Sequence, residues 1–214
     1  MSGHANYSIF KDSIPKNTKI VNVKLIKATE ESINEYGRFV ENFDNEEVIN
    51  CIWPKNDGRK IDINTGNQAL PTQGIFYFYN EDNYKKSINS SVPNGDYITG
   101  VLPKNEIKSR DLYFYTREAN YHPCGGQVVF PENKGSKFIL LLSKAGDNIT
   151  PNDFVSFLFD GTKGFQIYPN IWHQPLYQLD EKATFLNKQC SVHACVSVDT
   201  FSEFNTLLKV NLKL

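Results

Sequence analysis

Two histidines stand in matching contexts in this chain. His122 opens the run His122-Pro-Cys-Gly-Gly-Gln-Val-Val-Phe-Pro131, and His173 lies near the end of Gly164-Phe-Gln-Ile-Tyr-Pro-Asn-Ile-Trp-His-Gln-Pro-Leu176. Each is followed by a proline within two residues and leads toward an apolar run. Imidazole has an unperturbed pKa of about 6.5, so a pair can accept and return a proton at neutral pH. Gln127 and Gln174 accompany the two histidines, and an amide both donates and accepts hydrogen bonds. A single histidine beside apolar neighbours is more often a structural residue than a reagent. Two in parallel contexts point instead to a shared pocket, with Trp172 as its wall or a core anchor.

Other chemistry is poorly supported. Arg117 and Glu118, just before Tyr121 and His122, read as a solvated strand end. The run Asp160-Gly-Thr-Lys-Gly164 reads as a hairpin turn, because it lacks the spacing of a phosphate-binding loop. There is no Gly-x-Ser-x-Gly elbow and no GxGxxG after a first strand, which argues against a hydrolase triad and a dinucleotide fold. The four cysteines, Cys51, Cys124, Cys190 and Cys195, are too few and too irregular for a disulfide framework. In Cys190-Ser-Val-His-Ala-Cys195 only His193 and Cys195 share a strand face, and two ligands do not make a zinc site. Free thiols packed as small hydrophobes are expected.

The elements that must position these groups are short strands. Residues 20–28 alternate apolar and polar, and further apolar runs recur at 74–79, 97–102, 112–115, 127–130, 137–143, 154–159, 165–168, 176–179, 183–187, 192–198 and 208–214. Such spacing with turn residues between predicts an all-β sandwich or barrel. Residues 29–39 read as a short helix with glutamates in its first turn and Gly37 at its end. Asp57-Gly58 and Asn64-Thr-Gly66 are turn signals, and 80–96 reads as an exposed polar loop. No repeat or linker divides the chain, so 1–214 is expected to be one domain, with 1–19 a flexible or peripheral segment.

Composition excludes more than it selects. A formal charge of −1 gives no electrostatic reason for a nucleic-acid or membrane partner. No apolar run approaches the roughly 20 residues needed to span a bilayer, and no basic-then-apolar leader opens the sequence. A cytoplasmic protein is the expectation. Aromatic residues make up 13%, enough to dominate a β-sheet core.

Taken in order, the motifs resemble the ureidoglycolate lyase family, a branch of the cupin superfamily. Tyr168, Trp172, His173, Pro175 and Leu176 stand where a Gly-Val-x-Tyr-x-x-x-x-Trp-His-His-Pro-Leu motif needs them. His122, Pro123, Gln127, Phe130 and Pro131 are similar to His-Pro-x-x-Ser/Thr-Gln-x-Phe-x-Pro. Glu35 to Glu41, Ile63 to Gly66 and Phe157 to Gly164 add weaker matches in the family's order. Three positions depart: Gln174 replaces the second histidine of Trp-His-His-Pro, Tyr121 a basic residue, and Gly126 a Ser/Thr. The resemblance implies a cupin-like antiparallel β-barrel, or jelly roll, with one or two short peripheral helices. It implies a small-molecule substrate, a homodimer, and cleavage of (S)-ureidoglycolate to glyoxylate and urea. His122 and His173 would then be the acid–base pair. Gln127, Gln174, Asn64, Arg117, Tyr121, Tyr168 and Trp172 would contact substrate, with Lys163 an alternative to Arg117 as partner of its carboxylate. No cofactor is required, although the generic cupin pattern would hold a divalent metal on His122, Gln127 and His173. The competing expectation is a non-catalytic or divergent cupin that binds a small carboxylate or ureido compound.

Overall fold

The computed structural model describes residues 6–52, 58–67, 69–70, 72–109 and 112–214. The chain begins with a 3-10 turn at Tyr7–Phe10, then runs through β1 (Lys19–Val23), β2 (Leu25–Lys27), α1 (Glu30–Ile33) and β3 (Gly37–Val40). Next come β4 (Gln73–Glu81), β5 (Tyr84–Asn89), β6 (Asp96–Val101), β7 (Tyr113–Thr116), β8 (Glu118–Tyr121) and β9 (Gln127–Pro131). They are followed by β10 (Phe138–Ser143), β11 (Val155–Phe159), β12 (Gly164–Ile167), β13 (Trp172–His173), β14 (Tyr177–Gln178) and β15 (Lys182–Gln189). The last elements are β16 (Val196–Asp199), α2 (Thr200–Phe204) and β17 (Thr206–Asn211).

These strands form two open sheets, an all-β sandwich of the jelly-roll kind. The ten-stranded sheet runs β1-β17-β7-β6-β5-β4-β15-β9-β12-β3, and the seven-stranded one β16-β8-β13-β10-β11-β2 with β14 also on β10. Pairing is antiparallel except for β1 with β17 and β2 with β11. Residues 20–28, read as one strand, thus serve both sheets, changing partner at Lys24.

The two sheets are held by phenylalanines at alternate positions of facing strands. Phe76, Phe78 and Phe185 from the larger sheet meet Phe138, Phe157 and Phe159 from the smaller one. On the opposite face of β10, Ile139 and Leu141 join Trp172, Val198, Leu208 and Val210 in a second cluster. Strand β10 is therefore buried on both faces, which is why its sequence, FILLLS, is nearly continuous rather than alternating. Tyr7 and Phe10 near the N-terminus are buried against Val101, Leu102 and Leu207. Among the described residues no helix is long and apolar enough to cross a membrane.

Three expectations need correction. The helix at 29–39 shrinks to one turn: the Thr29 side chain accepts from Ser32 N, the Ser32 hydroxyl accepts from Thr29 N, and the chain then enters β3. Gly37 does not end a helix. It pairs with Ile167 in β3, where a Cβ would overlap the Gln166 carbonyl oxygen and the Phe165 ring. Gly37→Ala is therefore expected to cost about 1–3 kcal/mol of stability by overpacking, read from urea unfolding; an unchanged midpoint would count against this. Segment 80–96 is not an exposed loop. Most of it is the β4–β5 hairpin, and Asn89 and Ser91 are buried. Its polar residues misled the reading because they serve a polar interior. The cysteine expectation fails in part as well: Cys124 and Cys190 pair as a disulfide with Cα atoms 6.3 Å apart. Cys51 is free and exposed, and Cys195 is free and buried. Spacing along the chain missed the pair because only the fold brings the loop after His122 beside the end of β15. Of the two turn signals, Asp57 lies outside the described residues, while Asn64 and Gly66 adopt positive φ of 66° and 82°.

Candidate active site

A cavity of about 50 Å³ lies between the sheets, against the roughly 10–15 Å³ that one water requires. Gln127 reaches it from β9, Gln189 from β15 and His173 from β13. His122 enters from the turn joining β8 to β9. Alternation along β13 decides what enters: His173 faces the cavity while Trp172 turns to the opposite core.

The two imidazoles are held by the same device. His122 Nδ1 lies 2.9 Å from the Ala194 carbonyl oxygen and His173 Nδ1 lies 2.8 Å from that of Ile171. A carbonyl only accepts, so each Nδ1 carries the hydrogen and donates it. In the neutral rings both Nε2 atoms are then bare lone pairs. They converge on the Gln127 side chain, whose Oε1 stands 3.3 Å from His122 Nε2 and 3.0 Å from His173 Nε2. The ring centroids are 5.0 Å apart. Behind Gln127, its Nε2 donates to Asn187 Oδ1 (2.9 Å), and Asn187 Nδ2 donates to Ser91 Oγ (2.7 Å).

An oxygen acceptor facing two lone pairs is satisfied only when a proton or cation lies between them. With neutral rings, a half-turn of the Gln127 amide presents its NH2 to both nitrogens, and Asn187 and Ser91 reverse their roles to match. With a proton on either Nε2, the orientation with Oε1 toward the rings is the stable one. The set also fits a divalent ion, since adjacent ligands at about 2.1 Å lie about 3 Å apart in octahedral geometry. His122, Gln127 and His173 would hold it.

Burial keeps the site uncharged. It lowers the His122 pKa below the usual imidazole value, partly offset by the bonds to Ala194 and Gln127. Burial, with the neighbouring His122, pushes His173 down to about 3. His193 is also pushed down to about 3 by the same two causes. An unfolded chain protonates these rings at about 6.5, so the unfolded state binds more protons between about 3 and 6.5. Stability contributed by neutral burial is present above about 6.5 and lost as pH falls. The urea midpoint is expected to fall from pH 7 to pH 5, and less steeply in His193→Gln. Equal slopes for both proteins would contradict this.

Several side chains put forward from sequence lie elsewhere. Trp172 is fully buried in the second core cluster, its indole nitrogen donating to the Gly146 carbonyl at 2.8 Å. Arg117 is buried in an ion pair with Asp199 and lies over the Phe201 ring, 4.8 Å from its centroid. Asn64 is exposed on its turn, and Tyr168 packs at the margin of the main core. Lys163 pairs with Glu41 at 2.5 Å. Two groups on the cavity side, Asn187 and Gln189, have no counterpart among the residues put forward from sequence, while His193 and Cys195, set aside there as too few to bind a metal, line the cavity. Gln189 is 2% exposed, and its side-chain Nε2 is a donor without a partner. Parity was the available signal, because Ala183, Phe185, Asn187 and Gln189 share one face of β15.

The sequence model for ureidoglycolate lyase matches residues 19–203. The chain belongs to the ureidoglycolate lyase family. Ureidoglycolate lyases of Escherichia coli K12 and Shigella boydii serotype 18 are each 27% identical to it over 86 residues, 40% of this chain and 53% of theirs. The chain thus spans about half the length of the curated relatives it matches.

Membership in that family makes the three departures informative. Gln174 lies past the end of β13 at the Pro175 corner, so strand alternation no longer governs it and it lines the cavity beside His173. It is held as a brace at both ends of its amide: Oε1 accepts from the Thr116 hydroxyl at 2.5 Å and Nε2 donates to the Thr99 carbonyl at 3.2 Å, which leaves one N–H and one lone pair. Tyr121 points away from the cavity, stacking edge-on against Trp172 and donating to Asp147 Oδ1 at 3.0 Å. At Gly126 a Cβ would overlap the Ile167 carbonyl oxygen, so this backbone does not accommodate the Ser or Thr of the family pattern.

Proposed function

We propose that the cavity cleaves ureidoglycolate to glyoxylate and urea. The observation that carries this reading is the pair of Nδ1-anchored imidazoles whose Nε2 atoms share one amide in a buried cavity. One imidazole removes the proton of the substrate hydroxyl as the carbinolamine collapses. The C–O bond becomes the carbonyl of glyoxylate, the C–N electrons leave with the ureido nitrogen, and the pair returns the same proton to that nitrogen. No net proton enters or leaves. Gln127 follows the change by turning its NH2 toward the neutral rings or its Oε1 toward the protonated one. Gln189 Nε2 supplies a ready donor for a substrate carbonyl or carboxylate oxygen. A divalent ion on His122, Gln127 and His173 would supply Lewis-acid polarisation. Incubation with racemic ureidoglycolate, measuring glyoxylate and urea with and without chelator, is expected to release both in equal amounts.

The divergent reading has its own support, since Gln174 is braced by Thr116 and Thr99 and an amide has no proton to transfer near neutral pH. Tight binding of a ureido compound without product release would favour that reading and remove the lyase one. A homodimer is also part of the proposal. Ile75, Tyr77 and Ile88 leave an apolar patch on the outer face of β4 and β5, and sedimentation at micromolar concentration tests it.

A further inference from the structure

We propose a second ligand set in the same cavity, a thiolate-bearing site for a zinc-class divalent ion made by His122 Nδ1, His193 Nε2 and Cys195 Sγ. It shares only His122 with the set described above and does not depend on the lyase reading. The potential ligand atoms of these three side chains all lie within 4.8 Å of one another. Cys195 Sγ is 3.2 Å from His193 Nε2 and 3.6 Å from His122 Nδ1. A tetrahedral ion with Zn–S near 2.3 Å and Zn–N near 2.0–2.1 Å holds nitrogen and sulfur about 3.5 Å apart. The two sulfur–nitrogen separations bracket that value.

The surroundings agree in three respects. First, the ligands come from separate segments: His193 and Cys195 sit on one face of the chain entering β16, and His122 precedes β9. The disulfide joining Cys124 to Cys190 ties these segments together. Second, a ligand at His122 Nδ1 moves that ring's hydrogen to Nε2. The ion takes the place of the Nδ1 bond to the Ala194 carbonyl, the Nε2–H then donates to Gln127 Oε1, 3.3 Å away, and Gln127 Nε2 keeps its bond to Asn187. A metal-bound imidazole commonly has its second nitrogen anchored in this way. Asn120 Nδ2 donates to the sulfur at 3.5 Å, while burial and Asp62 hold the metal-free Cys195 as the thiol, so binding the ion must release a proton. Third, all three residues line the cavity, whose described lining includes Glu118 but no lysine or arginine. Three protein ligands leave a fourth position open toward the cavity, the pattern of zinc sites that meet a substrate or water. The ion would provide the positive charge that a bound carboxylate needs and that the side chains do not supply.

The test is a titration of the metal-free protein with Co²⁺, followed by the near-ultraviolet thiolate-to-cobalt charge-transfer absorption, with proton release measured in parallel. The expected result is one equivalent bound, with the absorption present in wild type, Cys51→Ser and His173→Asn. It should be lost, with at least about 10-fold weaker binding, in Cys195→Ser and His193→Gln. Circular dichroism and urea unfolding establish that both variants are folded. Absence of the charge-transfer band in wild type overturns the proposal, as does its persistence in Cys195→Ser. Cobalt binding that is lost in His173→Asn but unaffected by Cys195→Ser assigns the ion to the His122, Gln127 and His173 set and overturns this one. None of these readouts requires turnover, so the lyase reading stands or falls separately.

Discussion

His173→Asn is expected to lower lyase turnover at least about 10²-fold, the scale of a lost proton-transfer group, while the protein stays folded. The size of the effect follows from which half of the ring is functional. Asparagine supplies an amide NH2 near the position of Nδ1, so the bond to the Ile171 carbonyl can be kept. It supplies nothing at Nε2, the atom that shares Gln127 with His122. Loss of kcat with little change in KM is the expected signature, because the missing contact is with the moving proton rather than with the resting substrate. Activity unchanged in a folded variant would remove the acid–base role from this pair.

The second large effect concerns stability. Asp199→Ala is expected to cost about 3 kcal/mol, the lower end for leaving a buried charge without its partner. Arg117 Nε bonds Asp199 Oδ1 at 2.7 Å, and its Nη2 meets Asp199 Oδ2 and the Ser202 hydroxyl. The Arg117 side chain is only 5% exposed, so the substitution leaves a buried charge without its carboxylate partner. Asp199 also caps α2, accepting from Phe201 N and Ser202 N. Desolvation raises the pKa of this carboxyl, but the bonds from Arg117 and Ser202 outweigh it, leaving it below the ordinary carboxylate value. Its stabilisation is therefore present above the unfolded carboxyl pKa and is lost as pH falls through the folded one. Wild type and variant should accordingly converge in stability at low pH, and urea midpoints across pH 7 to 3 provide the measurement. A constant difference down to pH 3 would contradict the assignment.

This ion pair also shows why a charge next to a functional motif is a poor guide. Arg117 precedes His122 by five residues, and from sequence it was a reasonable partner for a substrate carboxylate. It sits just past β7, where its guanidinium meets α2 and the buried Phe10 instead. Tyr121 shows the same effect at shorter range. One residue from His122, it is the last residue of β8 and packs on Trp172 in the opposite core, while His122 already lies in the turn.

What the sequence determined by itself was local. Alternation and turn residues located the strands from β4 to β17 other than β5, β8 and β13, because side-chain period and glycine or proline punctuation are properties of the chain alone. The paired histidine motifs likewise singled out His122, Gln127 and His173. Tertiary structure decided everything that depends on which strands become neighbours. Only sheet pairing brings Asn187 and Gln189 of β15 beside Gln127 of β9, and only the loop after β15 carries His193 and Cys195 to His122. It made the polar residues after β5 interior ones, chose two open sheets between the sandwich and barrel alternatives, and joined Cys124 to Cys190 across 66 positions. The physical reason is common to all of these. A polar or thiol side chain is neutral evidence until its partners are known, and strand partners lie tens of residues away, where no local pattern records them.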